Sequence, residues 1–375
     1  MDSGYLKIHT SLSGYYQKIS LVHLGSSSAG SDTTVKVTMT NSTFWGQYNA
    51  NVGSDTVAVK IDANNSKLHS NADIGWTIQA KRLDADFYGQ DALFASQSKS
   101  GSYNATGRFW FDDQVTGLIK VRNGATLQTT RGVRMNGSTV DVVFDGGKFS
   151  ILAHNTELET QSMWNANKGS GFNSIRAGLE LQIPDTCIHS FNFPIYGGGS
   201  VTKTGAGTFK LVSPRSADEK LLQYTGGTIV SNGTFVIDGS LVADDSKAFT
   251  VASGAVLDLN GTMLSGATLS GAGTVTNGTL SAATIPYNAK AGALTFSGVA
   301  FDGVLTVDFG CTDNPLDIEG ARAGFVVARY TGDIPAGLVV KPVNTGLVRP
   351  HARVSFADGN IRVSVVNLGL SVFMR

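Results

Sequence analysis

The sequence predicts an all-β fold, a solenoid of short strands stacked coil upon coil, with capping segments at both ends. Three observations predict it. Short runs alternate apolar and polar residues. A glycine-led unit recurs roughly every 20 residues. No stretch carries a sustained helical spacing of apolar positions.

The alternating runs come first in the chain. Thr34-Val35-Lys36-Val37-Thr38-Met39, Val57-Ala58-Val59-Lys60-Ile61 and Val140-Asp141-Val142-Val143-Phe144 are short, largely alternating runs. Successive side chains of a strand point to opposite faces, so this period marks strands with one buried face. Asn-Gly, Asp-Gly and Gly-Gly pairs separate the runs and supply the positive φ angles of tight corners. Glycine is also too frequent, at 45 of 375 residues, to leave room for long helices.

The repeat decides between β architectures. Gly233-Thr234-Phe235-Val236-Ile237 is followed by Gly254-Ala255-Val256-Leu257, Gly273-Thr274-Val275 and Gly292-Ala293-Leu294-Thr295-Phe296, at steps of 21, 19 and 19 residues. Gly207-Thr208-Phe209-Lys210-Leu211 precedes this set by 26, and a looser pair beginning at Gly124 and Gly147 lies 23 apart. A coil of this length cannot bury its inward side chains alone, so neighbours must stack around a shared interior. Leucine-rich repeats have a similar period, but their Leu-x-x-Leu-x-Leu pattern is missing, and a propeller blade needs about twice the length. Asn232, Asn260 and Asn277 suit corners, where they can stack in ladders. Any polar side chain turned inward needs a stacked partner.

The expected organisation is an N-terminal cap over residues 1–33, a β-solenoid over 34–320 and C-terminal strands over 321–375. In the last part the period gives way to longer alternating runs, Phe325–Arg329, Gly337–Val340 and Ile361–Val365, with Asp358-Gly359-Asn360 as a hairpin turn between two of them.

Composition narrows the partners. With 29 basic and 29 acidic residues and no basic block, counterion release on nucleic acid has little to work with. The longest uncharged stretch, Leu259 to Ala289, is too rich in Gly, Ser and Thr to partition into lipid, so no membrane span is expected. The opening residues Met1 to Tyr5 lack a basic segment followed by an apolar run. Cys187 and Cys311 are 124 residues apart, some five or six coils or roughly 25 Å at strand spacing, so two thiols are expected rather than a disulfide. Cys187-x-His189 lacks the second pair that a metal site requires. Neither a metal nor a cofactor is expected, and the chain is expected to act as a monomer.

Residues 197–280 resemble a known family. Gly198-Gly199-Ser200-Val201-Thr202-Lys203-Thr204-Gly205-Ala206-Gly207-Thr208-Phe209-Lys210-Leu211 closely resembles the opening of the autotransporter-associated β-strand repeat, and Tyr224 to Phe235 looks like its second half. Ala255 to Gly261 and Leu269 to Val275 are similar to segments that follow it, and the tail with Ala328 to Gly332 is similar to the ends of such passengers. The resemblance implies a right-handed, single-stranded parallel β-helix of the pectin-lyase-like kind, secreted or displayed at a bacterial cell surface. It implies that the repeat itself carries no catalytic residues.

The functional expectation is therefore a non-enzymatic structural or adhesive module that recognises a polysaccharide or a cell-surface glycan. The alternative is a polysaccharide lyase or glycoside hydrolase. For it, Asp84 and Asp86 share one strand face at i, i+2 spacing, Asp112 and Asp113 could join them from a neighbouring coil, and Lys120 and Arg122 could hold an acidic sugar. The solvated reading of these carboxylates is preferred. None of His9, His23, His69, His154, His189 and His351 precedes a glycine, as the pectin-hydrolase pattern requires. Asp313-Asn314-x-x-Asp317 reads as a turn, lacking the repeated spacing of a calcium roll. Trp45, Phe87, Tyr88, Tyr103, Trp110 and Trp164 are candidates for stacking on sugar rings if exposed, and otherwise fill the core.

Overall fold

The computed structural model describes residues 5–8, 19–22, 34–46, 50–53, 55–71, 75–97, 107–130, 132–135, 138–152, 160–166, 173–191, 195–211, 222–237, 248–288, 290, 292–310, 324–334, 338–346 and 350–367. Among them are strands, turns and bends but no helix, and nearly all pairing is parallel. The all-β, parallel-sheet architecture is that of stacked coils, compatible with a parallel β-helix. Two compact units divide it, Met1–Gly226 and Gly227–Arg375.

In the first unit, successive coils feed three ladders. Thr34–Thr40, Ala58–Asn64, Arg82–Tyr88, Thr116–Arg122 and the first half of Thr139–Ile151 form one. Tyr5–Ile8, Thr43–Gly46, Lys67–Asn71, Leu93–Gln97, Thr126–Thr129 and the second half of Thr139–Ile151 form the next. Ile19–Val22, Ala50–Val52, Gly75–Ile78, Arg108–Phe111 and Gly132–Met135 start the third. Residues 5–8 and 19–22 thus continue the same ladders.

Because the register is held from coil to coil, each inward position becomes a buried column. Met39, Ala63, Phe87, Val121 and Phe144 make one. Phe44, Leu68, Phe94, Leu127, Phe149 and Leu181 make another, and Lys203 occupies its next rung. The ladders meet at Phe94. Its ring stacks on Phe87 at 4.8 Å and meets Trp76 at 5.5 Å and Phe109 at 4.5 Å, so all three inward faces share one core. Burying each such ring stabilises by roughly 1.5–3 kcal/mol. Polar groups turned inward find partners: the Trp76 Nε1–H donates to the Ala95 carbonyl at 2.8 Å, and the Ser42 N–H donates to Ser66 Oγ one coil away at 3.1 Å.

The second unit shows what the glycine-led repeat encodes. Phe235, Leu257, Val275 and Phe296, two to four residues after the glycine of each repeat, occupy successive rungs of one column and are buried. The looser pair at Gly124 and Gly147 serves a different ladder, in which Leu127 pairs with Phe149. Corners stack as well. Gly266, Ala282 and Gly303 all have positive φ and follow the paired residues Ser265, Ser281 and Asp302. Asn260 and Asn277 take the same left-handed conformation and share Asp258, whose Oδ1 accepts from the Asn260 N–H at 2.9 Å and Asn277 Nδ2 at 3.2 Å. Asn232 instead accepts the Gly233 N–H at 2.7 Å through its side chain.

Pairing changes sense at the end. Phe325–Thr331 pairs parallel with Leu294–Asp302 on one edge and antiparallel with Asn360–Asn367 on the other. Asn360–Asn367 then pairs antiparallel with Pro350–Ala357 across the two-residue turn Asp358–Gly359. Both turn residues have positive φ, 52° and 68°, as a primed hairpin turn demands.

Candidate functional site

The strand Arg82–Tyr88 turns Leu83, Ala85 and Phe87 into the core and leaves Arg82, Asp84, Asp86 and Tyr88 on the outer face. Register brings further charges beside them. Lys60 lies opposite Asp84, Asp62 opposite Asp86 on one side and Lys120 on the other, and Arg122 opposite Tyr88. Lys36, Lys60, Asp62, Asp84, Asp86 and Lys120 line a shallow groove of about 380 Å³.

The two aspartates predicted to share a face do so, and arginines already hold both. Arg82 Nε lies 2.7 Å from Asp84 Oδ2. Arg122 grips Asp86 at two points, Nε to Oδ1 at 2.8 Å and Nη2 to Oδ2 at 3.2 Å, while its guanidinium rests 4.2 Å from the Tyr88 ring centroid. The hydrogen bonds to Asp84 and Asp86 raise the pKa of Arg82 and Arg122 respectively, and a hydrogen bond to Asp62 raises that of Tyr88. Arg122 is thus committed to Asp86 rather than waiting for an acidic sugar. Asp84 Oδ1 is shielded from solvent with no hydrogen-bond partner among the described residues. Asp141 pairs with Leu118 one rung further along the face, and burial pushes its carboxyl above the ordinary range.

Asp112 and Asp113 lie elsewhere, at the corner after Arg108–Phe111, where they line a second hollow of about 670 Å³ with Gln79, Lys81, Trp110 and Gln114. The corner is fixed by its backbone: the Asp112 N–H donates to the Ile78 carbonyl at 3.0 Å, and the Val115 N–H to the Asp112 carbonyl at 3.2 Å. Gln79 Nε2 donates to Asp112 Oδ2 at 3.0 Å and orients the carboxylate. Trp110 points outward between the buried Phe109 and Phe111, and the Arg134 guanidinium lies 4.4 Å from its ring centroid. The four carboxylates are therefore divided between two places.

The remaining candidates separate cleanly. Phe87 is core, and Tyr88 lies beneath Arg122. Trp45 is half-buried with its ring against the edge of His69 at 5.0 Å. Trp164 sits in the strand Thr160–Ala166, but its side chain, like Tyr103, Cys311 and residues 313–317, lies outside what is described. Cys187 and His189 both face the core, and no group of three or more His, Cys, Asp or Glu side chains among the described residues could hold a metal. His189 packs among Phe149, Phe191 and Phe209, and burial lowers its pKa to about 3. No helix among the described residues is long and apolar enough to cross a membrane.

Two residues of consequence escaped the sequence reading. Asp141 was visible only as one polar position in an alternating run. Lys203 stands within a buried column, its Nζ donating to the carbonyls of Thr204 at 3.0 Å and Gly205 at 2.6 Å, and burial lowers its pKa to about 8. Compared with known proteins, the chain matches no family model, no curated protein and no solved structure.

Proposed function

We propose that this chain is a right-handed parallel β-helix of the autotransporter-passenger type, acting outside the cell or at its surface as a structural and adhesive module that binds glycan without turning it over. One observation carries this reading. The four carboxylates a hydrolase or lyase would need are split between a groove and a separate corner hollow, and the pair in the groove is closed by Arg82 and Arg122. A glycosidase needs two carboxyl groups within about 5–10 Å flanking one bond, one free to carry a proton and one free to attack or to activate water. A bidentate guanidinium removes Asp86 from either role. Parallel ladders with buried columns supply a rigid support, and a surface of outward hydroxyl, amide and carboxylate groups supplies contacts for sugar hydroxyls.

The test incubates the full chain with a panel of neutral and acidic polysaccharides. Reducing ends and unsaturated products are followed alongside co-sedimentation with the same polymers. Retention without product is expected. Product release that disappears in Asp84→Asn or Asp112→Asn would replace this reading with a polysaccharide lyase or hydrolase.

A further inference from the structure

We infer that the corner hollow beside Trp110 is a binding site for a neutral pyranose unit of a polysaccharide chain. The inference rests on the glycan-binding reading and gives it a place and a substrate class.

The hollow combines three features. The first is an aromatic platform. Trp110 stands outward while its neighbours Phe109 and Phe111 are buried, and the Arg134 guanidinium covers one face of the indole. That contact holds the ring, whose opposite neighbour in the ladder is the small Thr77, so that the indole also reaches the hollow. The C–H face of a pyranose is an apolar surface of matching shape, and a ring held in advance gives up little freedom on binding.

The second feature is a set of hydroxyl partners on fixed backbone. Gln79 and Gln114 offer amides that both donate and accept, and Asp112 and Asp113 offer carboxylate oxygens. Asp112 is already oriented by Gln79 through one oxygen, which leaves Oδ1 to accept from a sugar hydroxyl. A carboxylate accepting from a neutral hydroxyl makes a charge-assisted bond, stronger than its neutral counterpart.

The third feature is charge. Among the described residues that line the hollow, Asp55, Asp112 and Asp113 stand against the cation Lys81, with Arg134 laid on the Trp110 ring beside them. A uronate or sulfate would meet net repulsion there, whereas a neutral hexose or pentose presents only hydroxyls. The volume of about 670 Å³ lies within the range of small-molecule sites. The site therefore favours neutral sugars, although the neighbouring groove is richer in lysine and arginine.

The test is affinity electrophoresis of the full chain in gels containing xyloglucan, galactomannan or mixed-linkage β-glucan, with polygalacturonate and heparin as acidic polymers. Trp110→Ala, Trp110→Phe and Asp112→Asn are run beside the parent, with thermal melts to confirm folding. Retardation by at least one neutral polymer is expected, weakened roughly tenfold by Trp110→Ala and partly restored by Trp110→Phe. Asp112→Asn should weaken it as well. Neutral-polymer retardation unchanged in Trp110→Ala would overturn the site while leaving glycan binding intact, as would retardation by acidic polymers alone. No retardation by any polymer would overturn the glycan-binding reading itself.

Discussion

Arg122 reaches from one coil to the next to hold Asp86 by both carboxylate oxygens, at 2.8 and 3.2 Å, and rests on Tyr88 as it does so. The pair is about one-third exposed, 32% for Arg122 and 31% for Asp86, so solvent screens part of the attraction. Arg122→Ala should lower stability by about 1 kcal/mol. A double-mutant cycle with Asp86→Asn, read by chemical denaturation, should return a coupling of similar size. Zero coupling would mean that the contact contributes nothing and that Asp86 is available for other roles.

His189 makes the first unit sensitive to acid. Burial holds its pKa near 3 in the folded chain, against an ordinary 6.5 once unfolded. Between these values the unfolded chain takes up a proton that the folded chain refuses, so stability falls as pH falls from about 6.5 toward 3. The slope approaches about 1.4 kcal/mol per pH unit in mid-window. His189→Phe, set among Phe149, Phe191 and Phe209, should flatten this slope in melts between pH 3 and 7. Parallel curves for the two proteins would refute it.

Lys203 acts at the opposite end of the scale. Its folded pKa of about 8 lies below the ordinary 10.5, so above pH 8 the folded chain releases a proton that the unfolded chain keeps. Stability attributable to Lys203 therefore rises with pH from about 8 to 10.5. The stability difference between the parent and Lys203→Met should grow across that window, measured by denaturation at several alkaline pH values. A constant difference would show that the ammonium stays charged inside the fold.

Glycines of the second unit should differ sharply in tolerance. Gly254 has φ +80° and open space where a Cβ would stand, so Gly254→Ala should cost about 1 kcal/mol of left-handed strain alone. Gly271 has φ +108°, and a Cβ there would collide with the Val251 carbonyl oxygen of the adjacent coil. Gly271→Ala must displace backbone and should destabilise by on the order of 3 kcal/mol. Equal melting shifts in the two variants would contradict the stacking at Gly271.

What the sequence made legible follows from locality. The column Phe235–Leu257–Val275–Phe296 is written at a nearly constant interval, and the Asp358–Gly359 turn lies in two adjacent residues. The site depended on pairs whose spacing obeys no period: Arg122 and Asp86 are 36 residues apart, and Gln79 and Asp112 are 33. Only a known register brings them together. Lys203 illustrates a conflict between two valid rules. Alternation with Val201 places it inward, whereas its charge argues for solvent. The corner carbonyls of Thr204 and Gly205 resolve the conflict by supplying acceptors inside the core.

The hairpin after Phe325–Thr331 changes the order in which the chain can assemble. Up to Thr331, each rung of this ladder docks on one made earlier, so winding can keep pace with synthesis. The outermost rung cannot follow suit, because Asn360–Asn367 lies between Phe325–Thr331 and the earlier-made Pro350–Ala357. Pro350–Ala357 has no place in the ladder until the later strand exists. Pro350–Ala357 must wait for its successor and then fold back over it, so this edge of the sheet shuts like a clasp rather than by the winding of one more coil.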